Sequence, residues 1–531
     1  MELLKQSIRM NCPEREGQVQ FTLEEDFNLP ETKPDVGEIC FEKGCVMTEE
    51  VIAMENAALV KGKLAFSILY HTRENGGALE RVEGRIPFEE KVRAEGLTEG
   101  EDVFATGVVD DLSVTMINSR KLNIQSVVTL TATQNGMREE ALPVGIQEPL
   151  GRKEYAQVRQ SAVDFTQVQL CKRDVFRIKE EITLPTGYPN VGRILWKDVS
   201  LGEMNFRLGE ENLFIQGEAR IFVLYESEGD GMPQVYETVI NASAQVDCPG
   251  CREGEALDVR YDLAQWDLQP KPDPDGEQRE LGLEATVDLK ICVYAQEHLG
   301  VVKDIYGVTK EICGKPRSVR LRQLLRGVTG KTKVSGQGKR EGGEQVSQLV
   351  YGDGTVSLTE AETKEGGMTI RGMLGVKILY GTGDEDQPYG CLRTVLPFEY
   401  SLEVPGMTQE DVPERLKARV EQISITMPDG EEVEIRAILS IAVSVFRDVE
   451  VQVIDEISEE EQDREKMAAL PSMVAYVVQE GEDLWTIGKK YYVPVQSLIE
   501  LNELNGEEVT PGQKLLILKE WGTRREKQDI S

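Results

Sequence analysis

Cys248 and Cys251, separated by Pro-Gly, have the spacing of half a zinc site or of a redox pair. A zinc site needs two further ligands at suitable spacing, and none lies nearby in the sequence, so the pair is expected to close a turn between strands at Gly250. The stretch from Gly330 to Gly343 is rich in Gly and Lys. It lacks the Gly-Lys-Ser/Thr order after a strand that a phosphate-cradling loop requires, and is expected to be a flexible loop. His71 and His298 are the only histidines, so chemistry built on a His pair has almost no material. Carboxylates abound, but none stands isolated in an apolar run as a raised-pKa acid would. No catalytic residue, metal site or cofactor is expected, and the chain reads as a non-enzyme.

Charge narrows the partners. Against 60 Lys+Arg stand 94 Asp+Glu, a net −34 over 531 residues, so the summed field repels phosphate backbones and anionic lipid. Nucleic acid is not an expected partner. The first residues lack the apolar run of a signal peptide, and no stretch approaches the roughly 18 apolar residues of a membrane span. The expectation is a cytoplasmic chain with no integral membrane segment. Nine scattered cysteines, an odd number, imply no disulfide framework in such a compartment.

The elements that position these residues come from a repeat. Gly62-Lys-Leu-Ala-Phe-Ser-Ile-Leu-Tyr70 recurs as Gly217-Glu-Ala-Arg-Ile-Phe-Val-Leu-Tyr225 and as Gly372-Met-Leu-Gly-Val-Lys-Ile-Leu-Tyr380, in two steps of 155 residues. Leu64, Phe66 and Ile68 match Ala219, Ile221 and Val223, then Leu374, Val376 and Ile378, an alternation that makes one apolar face on a strand. Leu29-Pro30 with Pro34, Val36 and Gly37 returns as Leu184-Pro185 with Pro189, Val191 and Gly192. Pro87-Phe88 returns as Pro397-Phe398, with Ala242-Ser243 in the middle copy, and Gly96, Gly250 and Gly406 correspond. Pro428-Asp429-Gly430 and Pro270 to Gly276 read as hairpin turns. Tyr70, Tyr225 and Tyr380, which end the repeated strand, read as packing residues.

The segments Tyr155 to Asp164 and Ser318 to Leu325 read as helical connectors, and Ser458 to Lys466 as a charged linker. The resulting fold class is mainly β: three tandem β-rich repeat domains with helical connectors, followed by a small βααβ module. The boundaries are 1–150, 151–305 and 306–452 for the repeats, 453–472 for the linker, 473–519 for the module and 520–531 for a tail.

The last module reads as strand, helix, helix, strand. Asp483 is the N-cap of a helix bearing Leu484, Ile487 and Tyr491 on one face, and Lys514 to Leu518 close the unit. About 45 residues without disulfide or metal make a core of modest stability. Trp485, Tyr492 and Trp521 are large rings in or beside it. Trp521, just past the last strand, is the expected interface anchor, and Lys489 is expected to face solvent.

Tyr476-Val-Val, Gly481-Glu-Asp-Leu-Trp485, Leu498-Ile-Glu-Leu-Asn502 and Pro511-Gly-Gln-Lys-Leu515 resemble a LysM domain. The resemblance implies a shallow groove for N-acetylglucosamine-containing glycan, with Gly481, Asp483 and Leu484 on one side and the chain after Asn502 on the other. The 155-residue repeats resemble a domain family found in tandem in spore proteins of Gram-positive bacteria. Three such repeats closed by one LysM module resemble the SipL-like spore coat morphogenesis proteins. This implies a non-catalytic scaffold in spore coat or envelope assembly, in the mother-cell cytoplasm at the forespore surface. Its LysM domain would dock the coat-basement ATPase, a stage IV sporulation protein A-like protein. The alternative is a cell-wall binding protein whose LysM domain holds peptidoglycan. The partner- or glycan-binding residues expected are Gly481, Asp483, Leu484, Trp485, Asn502 and Trp521.

Overall fold

A period of two in apolar residues places alternate side chains on one face of a strand. In the computed structural model, Leu64, Phe66 and Ile68 and their six counterparts in the other copies are at most 3% exposed. The structure describes residues 1–13, 15–73, 78–100, 102–134, 136–147, 156–229, 231–338, 346–383, 388–428, 432–462 and 471–519.

Repeat one contains β1 (Glu2–Asn11), β2 (Arg15–Asn28), β3 (Val36–Met54), β4 (Ala57–Thr72), β5 (Leu79–Arg93), β6 (Val103–Asn118), β7 (Lys121–Gln134) and β8 (Met137–Gln147). Repeat two contains β9 (Ala156–Thr183), β10 (Val191–Leu208), β11 (Asn212–Ser227), β12 (Pro233–Asp247), β13 (Ala256–Lys271) and β14 (Glu280–Gly307). Repeat three contains β15 (Glu311–Gly338), β16 (Gln348–Lys364), β17 (Gly367–Gly381), β18 (Tyr389–Glu403), β19 (Val412–Thr426) and β20 (Val433–Glu460). In each repeat an antiparallel sheet (β3-β4-β5, β10-β11-β12 or β16-β17-β18) faces a second one (β2-β7-β6, β9-β14-β13 or β15-β20-β19) across its own apolar core.

Strands β9, β14, β15 and β20 have 28 residues each, twice what a sandwich needs. Their outer halves leave the sandwich as two-stranded ribbons, and β1 with β8 forms the same ribbon in repeat one. The ribbons converge on a shared core in which Ile8, Val163 and Val319 are in register, followed by Met10, Phe165 and Leu321, all at most 7% exposed.

These ribbons correct three expectations. Residues 156–164 lie in β9 and Ser318 to Leu325 in β15, so the described connectors are strands instead of helices. Val319 and Leu321 already obey the strand period, and a bulge between Leu324 and Arg326 supplied the helix-like spacing. The charged run begins inside β20, where Glu459 and Glu460 pair with Ile312 and Glu311, and residues 463–470 lie outside the described ones. Residues 330–338 are also strand, within β15. Their glycines give room to Tyr400 above Gly330, Leu396 above Gly336 and Leu392 above Gly338. Residues 339–345 lie outside the described ones.

The landmarks have separate causes. A Cβ on Gly62 would stand 2.7 Å from the Phe88 ring, and one on Gly372 2.6 Å from Phe398, so ring and glycine are one packing unit. In repeat two Met204 covers Gly217 instead, and the residue that pairs with Gly217 is the small Ala242, so the Phe position falls one residue earlier than the sequence alignment placed it. The Leu-Pro turns are held by arginines of the facing sheet: Arg120 donates to the carbonyls of Pro30 and Lys33, Arg279 to those of Pro185 and Tyr188. Tyr70 and Tyr225 are fully buried and donate to the Pro34 and Pro189 carbonyls, as packing residues should.

The three sandwiches meet at an approximate threefold hub. Phe41, Trp196 and Tyr351, in register at 155-residue steps, touch with ring centroids 5.2, 5.7 and 6.5 Å apart. Leu69, Leu224 and Leu379 pack in the same cluster, each at most 1% exposed. Beside the rings, Lys43 donates to Asp198 at 2.9 Å and to Asp353 at 2.8 Å, and the Tyr351 hydroxyl donates to Asp198 at 2.7 Å. Burial opposes the charge on Lys43, but the two carboxylates outweigh it and hold its pKa well above the usual value.

Cys171 and Cys292 sit directly opposite on β9 and β14, with Cα atoms 4.2 Å apart, and are joined as a disulfide. This corrects the expectation of no disulfide: 121 residues separate the pair, and only the strand register brings them together.

Candidate functional site

The carboxy-terminal module is β21 (Met473–Val477), α1 (Leu484–Tyr491), α2 (Val495–Leu501) and β22 (Lys514–Leu518). Asp483 caps α1 by accepting from the Thr486 amide at 2.8 Å, and Gly481 before it has φ +83°, a conformation that favours glycine. Leu484, Ile487, Val493, Leu498, Leu515 and Ile517 close a small core between the helices and the two-stranded sheet.

That core does not stand alone. Trp485 donates through Nε1 to Asp304 at 2.7 Å, and Lys489 donates to the other Asp304 oxygen at 2.7 Å. Arg159 pairs with Asp483 at 2.8 Å, and Tyr492 donates to Glu311 at 2.8 Å. Tyr306 packs edge-on against Trp485 at 4.9 Å and donates to the Val493 carbonyl at 2.8 Å, over Gly488, where a Cβ would collide with the Tyr306 hydroxyl at 2.6 Å. The module is therefore seated on the ribbon of β9 and β14 and the start of β15. Burial pushes the Asp304 carboxyl up, but the hydrogen bonds from Lys489 and Trp485 outweigh it and leave the pKa below the ordinary carboxylate range. Asp483 is lowered in the same way: Thr486 and Arg159 outweigh burial.

Against this geometry the expected residues separate. Gly481 is exposed. Asp483 and Trp485 face the ribbon, Leu484 is 1% exposed in the core, and Asn502 holds the sheet by accepting from the Leu516 amide at 2.6 Å. Leu484 and Asn502 are thus placed as structural residues, and Trp521 lies outside the described residues. Lys489, expected in solvent, is tied to Asp304. The ribbon partners Arg159, Asp304, Tyr306 and Glu311 were not foreseen, because in sequence each is an ordinary polar residue of a strand.

The other motifs resolve simply. Cys248 and Cys251 are buried, with the Cys251 amide donating to the Cys248 carbonyl at 3.2 Å and Gly250 at φ +78°, which is the expected turn. Burial pushes the Cys251 thiol up to about 11. Among the described residues no cluster of His, Cys, Asp and Glu is placed to hold a metal, and no helix is long and apolar enough to cross a membrane.

Comparison with known families agrees with this architecture. The SipL, SPOCS domain matches residues 35–117, 190–271 and 345–428, and the LysM domain matches residues 476–518. Each SPOCS span covers four strands of one sandwich, β3–β6, β10–β13 or β16–β19, and leaves out the two remaining strands of the second sheet together with the ribbons. Both are binding domains, and together they fit a sporulation-related adaptor for peptidoglycan or protein. Uncharacterized protein YkzQ of Bacillus subtilis (strain 168) is 45% identical over 42 residues, which cover 8% of this chain and 56% of that protein. No solved structure matches.

Proposed function

Because three SPOCS domains and one LysM domain make this chain a SipL-like protein, we propose that it is a non-catalytic adaptor of spore coat or envelope assembly. It acts in the mother-cell cytoplasm at the forespore surface and docks a stage IV sporulation protein A-like ATPase of the coat basement layer through its LysM domain. The observation that supports this reading is the seating of the LysM domain. Its first loop and helix are engaged by Arg159 and Asp304, so the domain is held in one orientation on a body of three interlocked sandwiches. A fixed module with part of its groove side already in contact suits presentation to a protein better than capture of a long glycan.

The outward face of the LysM sheet carries Met473, Val477 and Leu516, exposed by 61%, 44% and 37%, and supplies the apolar contact. An acidic body gains little from long-range attraction to another acidic protein, so buried area carries the affinity. Recovery of the ATPase from sporulating cells with tagged protein, intact or lacking residues 473–531, tests the assignment. Loss on truncation supports it, and unchanged recovery rejects it. Sedimentation with purified peptidoglycan tests the glycan alternative directly.

A further inference from the structure

Each sandwich has an edge strand, β5 in repeat one, β12 in repeat two and β18 in repeat three, whose far side pairs with no strand among the described residues. An unpaired edge offers N–H and C=O groups to any extended chain, and proteins blunt such edges with proline and charge. Repeats one and three do so. Register places Pro87 and Pro397 opposite Lys63 and Met373, then Glu89 and Glu399 opposite Lys61 and Arg371. At the same two positions β12 has Asn241 and Ser243. From Thr238 to Val246 it carries no charge, no proline and no glycine.

The open backbone groups can be placed. The Cys248 amide donates to the Glu211 carbonyl at 2.7 Å, which extends the ladder between β11 and β12 along the even-numbered residues of β12. Antiparallel strands alternate, so the N–H and C=O groups of Val239, Asn241, Ser243 and Gln245 point away from β11. Pro87 and Pro397 agree, since a residue without an N–H fits where the ladder does not need one. The side chains along this edge are small as well: Ala242 stands at the position of Phe88 and Phe398, and Ala244 at that of Glu90 and Tyr400. In repeat one Phe88 closes the seam between the sheets by packing on Phe21 at 5.5 Å. Beside the alanines Ile240 is only partly buried, whereas Ile86 and Leu396 at its position are buried.

Whatever covers the edge must approach a chain of net charge −34. A second copy brings the same uncharged strand, so two acidic bodies meet where neither carries charge. A twofold axis through Ser243 makes an antiparallel pair that sets Ala242 beside Ala244 and Ile240 beside Val246 on the inner face, and Asn241 beside Gln245 on the outer. Asp247 falls beside Val239. An axis through Ala242 would instead set Glu237 against Asp247, like charges at both ends. The hub cluster meets β12 at Val235, outside the paired span. From these features we propose that the chain self-associates through the edge of β12, with Ser243 on the twofold axis and the two β10-β11-β12 sheets joined into one.

The test is sedimentation velocity of the full chain over a concentration series, in which wild type passes from the 59.4 kDa monomer to a dimer. Asn241→Pro and Ser243→Glu copy residues that repeats one and three already carry at these positions, so the fold accommodates them. Each should weaken the dimer by about tenfold or more, with unchanged circular dichroism. Ser243→Cys, in a chain whose exposed Cys45 and Cys313 are replaced by serine, should crosslink to its own counterpart when diamide takes up the two thiol protons and electrons, because directly opposed residues lie within disulfide reach. The same chain with Ser243 intact should not crosslink. A wild type that stays monomeric, a dimer that survives both edge variants, or a dimer that Ser243→Cys does not crosslink overturns the proposal; the first outcome leaves the edge to a strand of another protein.

Discussion

Lys43 and Asp353, 310 residues apart in the chain, meet at 2.8 Å. The same ammonium holds Asp198, so one cation on repeat one joins carboxylates of repeats two and three at equivalent register positions. A single lysine thus breaks the threefold symmetry of three related domains, since three like charges at one axis would repel.

Removing that cation leaves two partly buried carboxylates without a counter-charge. Lys43→Met should cost about 3–5 kcal/mol of stability, read from urea denaturation of the full chain. Adding Asp198→Asn and Asp353→Asn should recover much of the loss, because the penalty lies in the unpaired charges more than in the missing contact. A triple variant as unstable as the single one would contradict this account.

The LysM domain should release as a unit when its ribbon contacts are removed. Asp304→Ala deletes the acceptor of both Trp485 and Lys489 and should weaken docking by about 2 kcal/mol. Faster hydrogen exchange in 473–519 with unchanged exchange at the hub would report it. The folded pKa values of Asp304 and Asp483 are depressed, so their contribution is fully present above the ordinary value of 3.8. It is lost as pH falls through the lowered values. Acidification below 3.8, down through the lowered values, should therefore loosen the domain progressively in wild type, with a smaller change in Asp304→Ala.

Lys417, at the junction of repeats two and three, hydrogen-bonds Asp262 at 2.7 Å, yet burial and the neighbouring Arg419 lower its pKa to about 8. Between pH 8 and the ordinary 10.5 the unfolded chain binds the extra proton, so this group's contribution to stability rises with pH across that window. The difference in denaturation midpoint between wild type and Lys417→Met should shift in favour of wild type from pH 8 to 10. A constant difference would show that the group titrates elsewhere.

Equivalent glycines should respond unequally. Gly62→Ala drives a methyl against the Phe88 ring and the Met47 carbonyl, both fixed, and should destabilise by about 2 kcal/mol. Gly217→Ala meets chiefly the flexible end of Met204 and should cost less than half as much. Thermal denaturation of the two variants compares them directly.

The amino-acid sequence alone determined what is periodic or local. Alternation at Leu64, Phe66 and Ile68 specifies a strand because side-chain direction has a period of two, and the turn at Gly250 is a property of four adjacent residues. The 155-residue register even aligned Phe41, Trp196 and Tyr351. Only tertiary structure decided that these rings converge, that 28-residue strands continue where helical connectors were expected, and that Asp304 receives Trp485. Strand pairing and domain seating depend on which surfaces exclude water together, and residues hundreds of positions apart leave no local pattern of that choice.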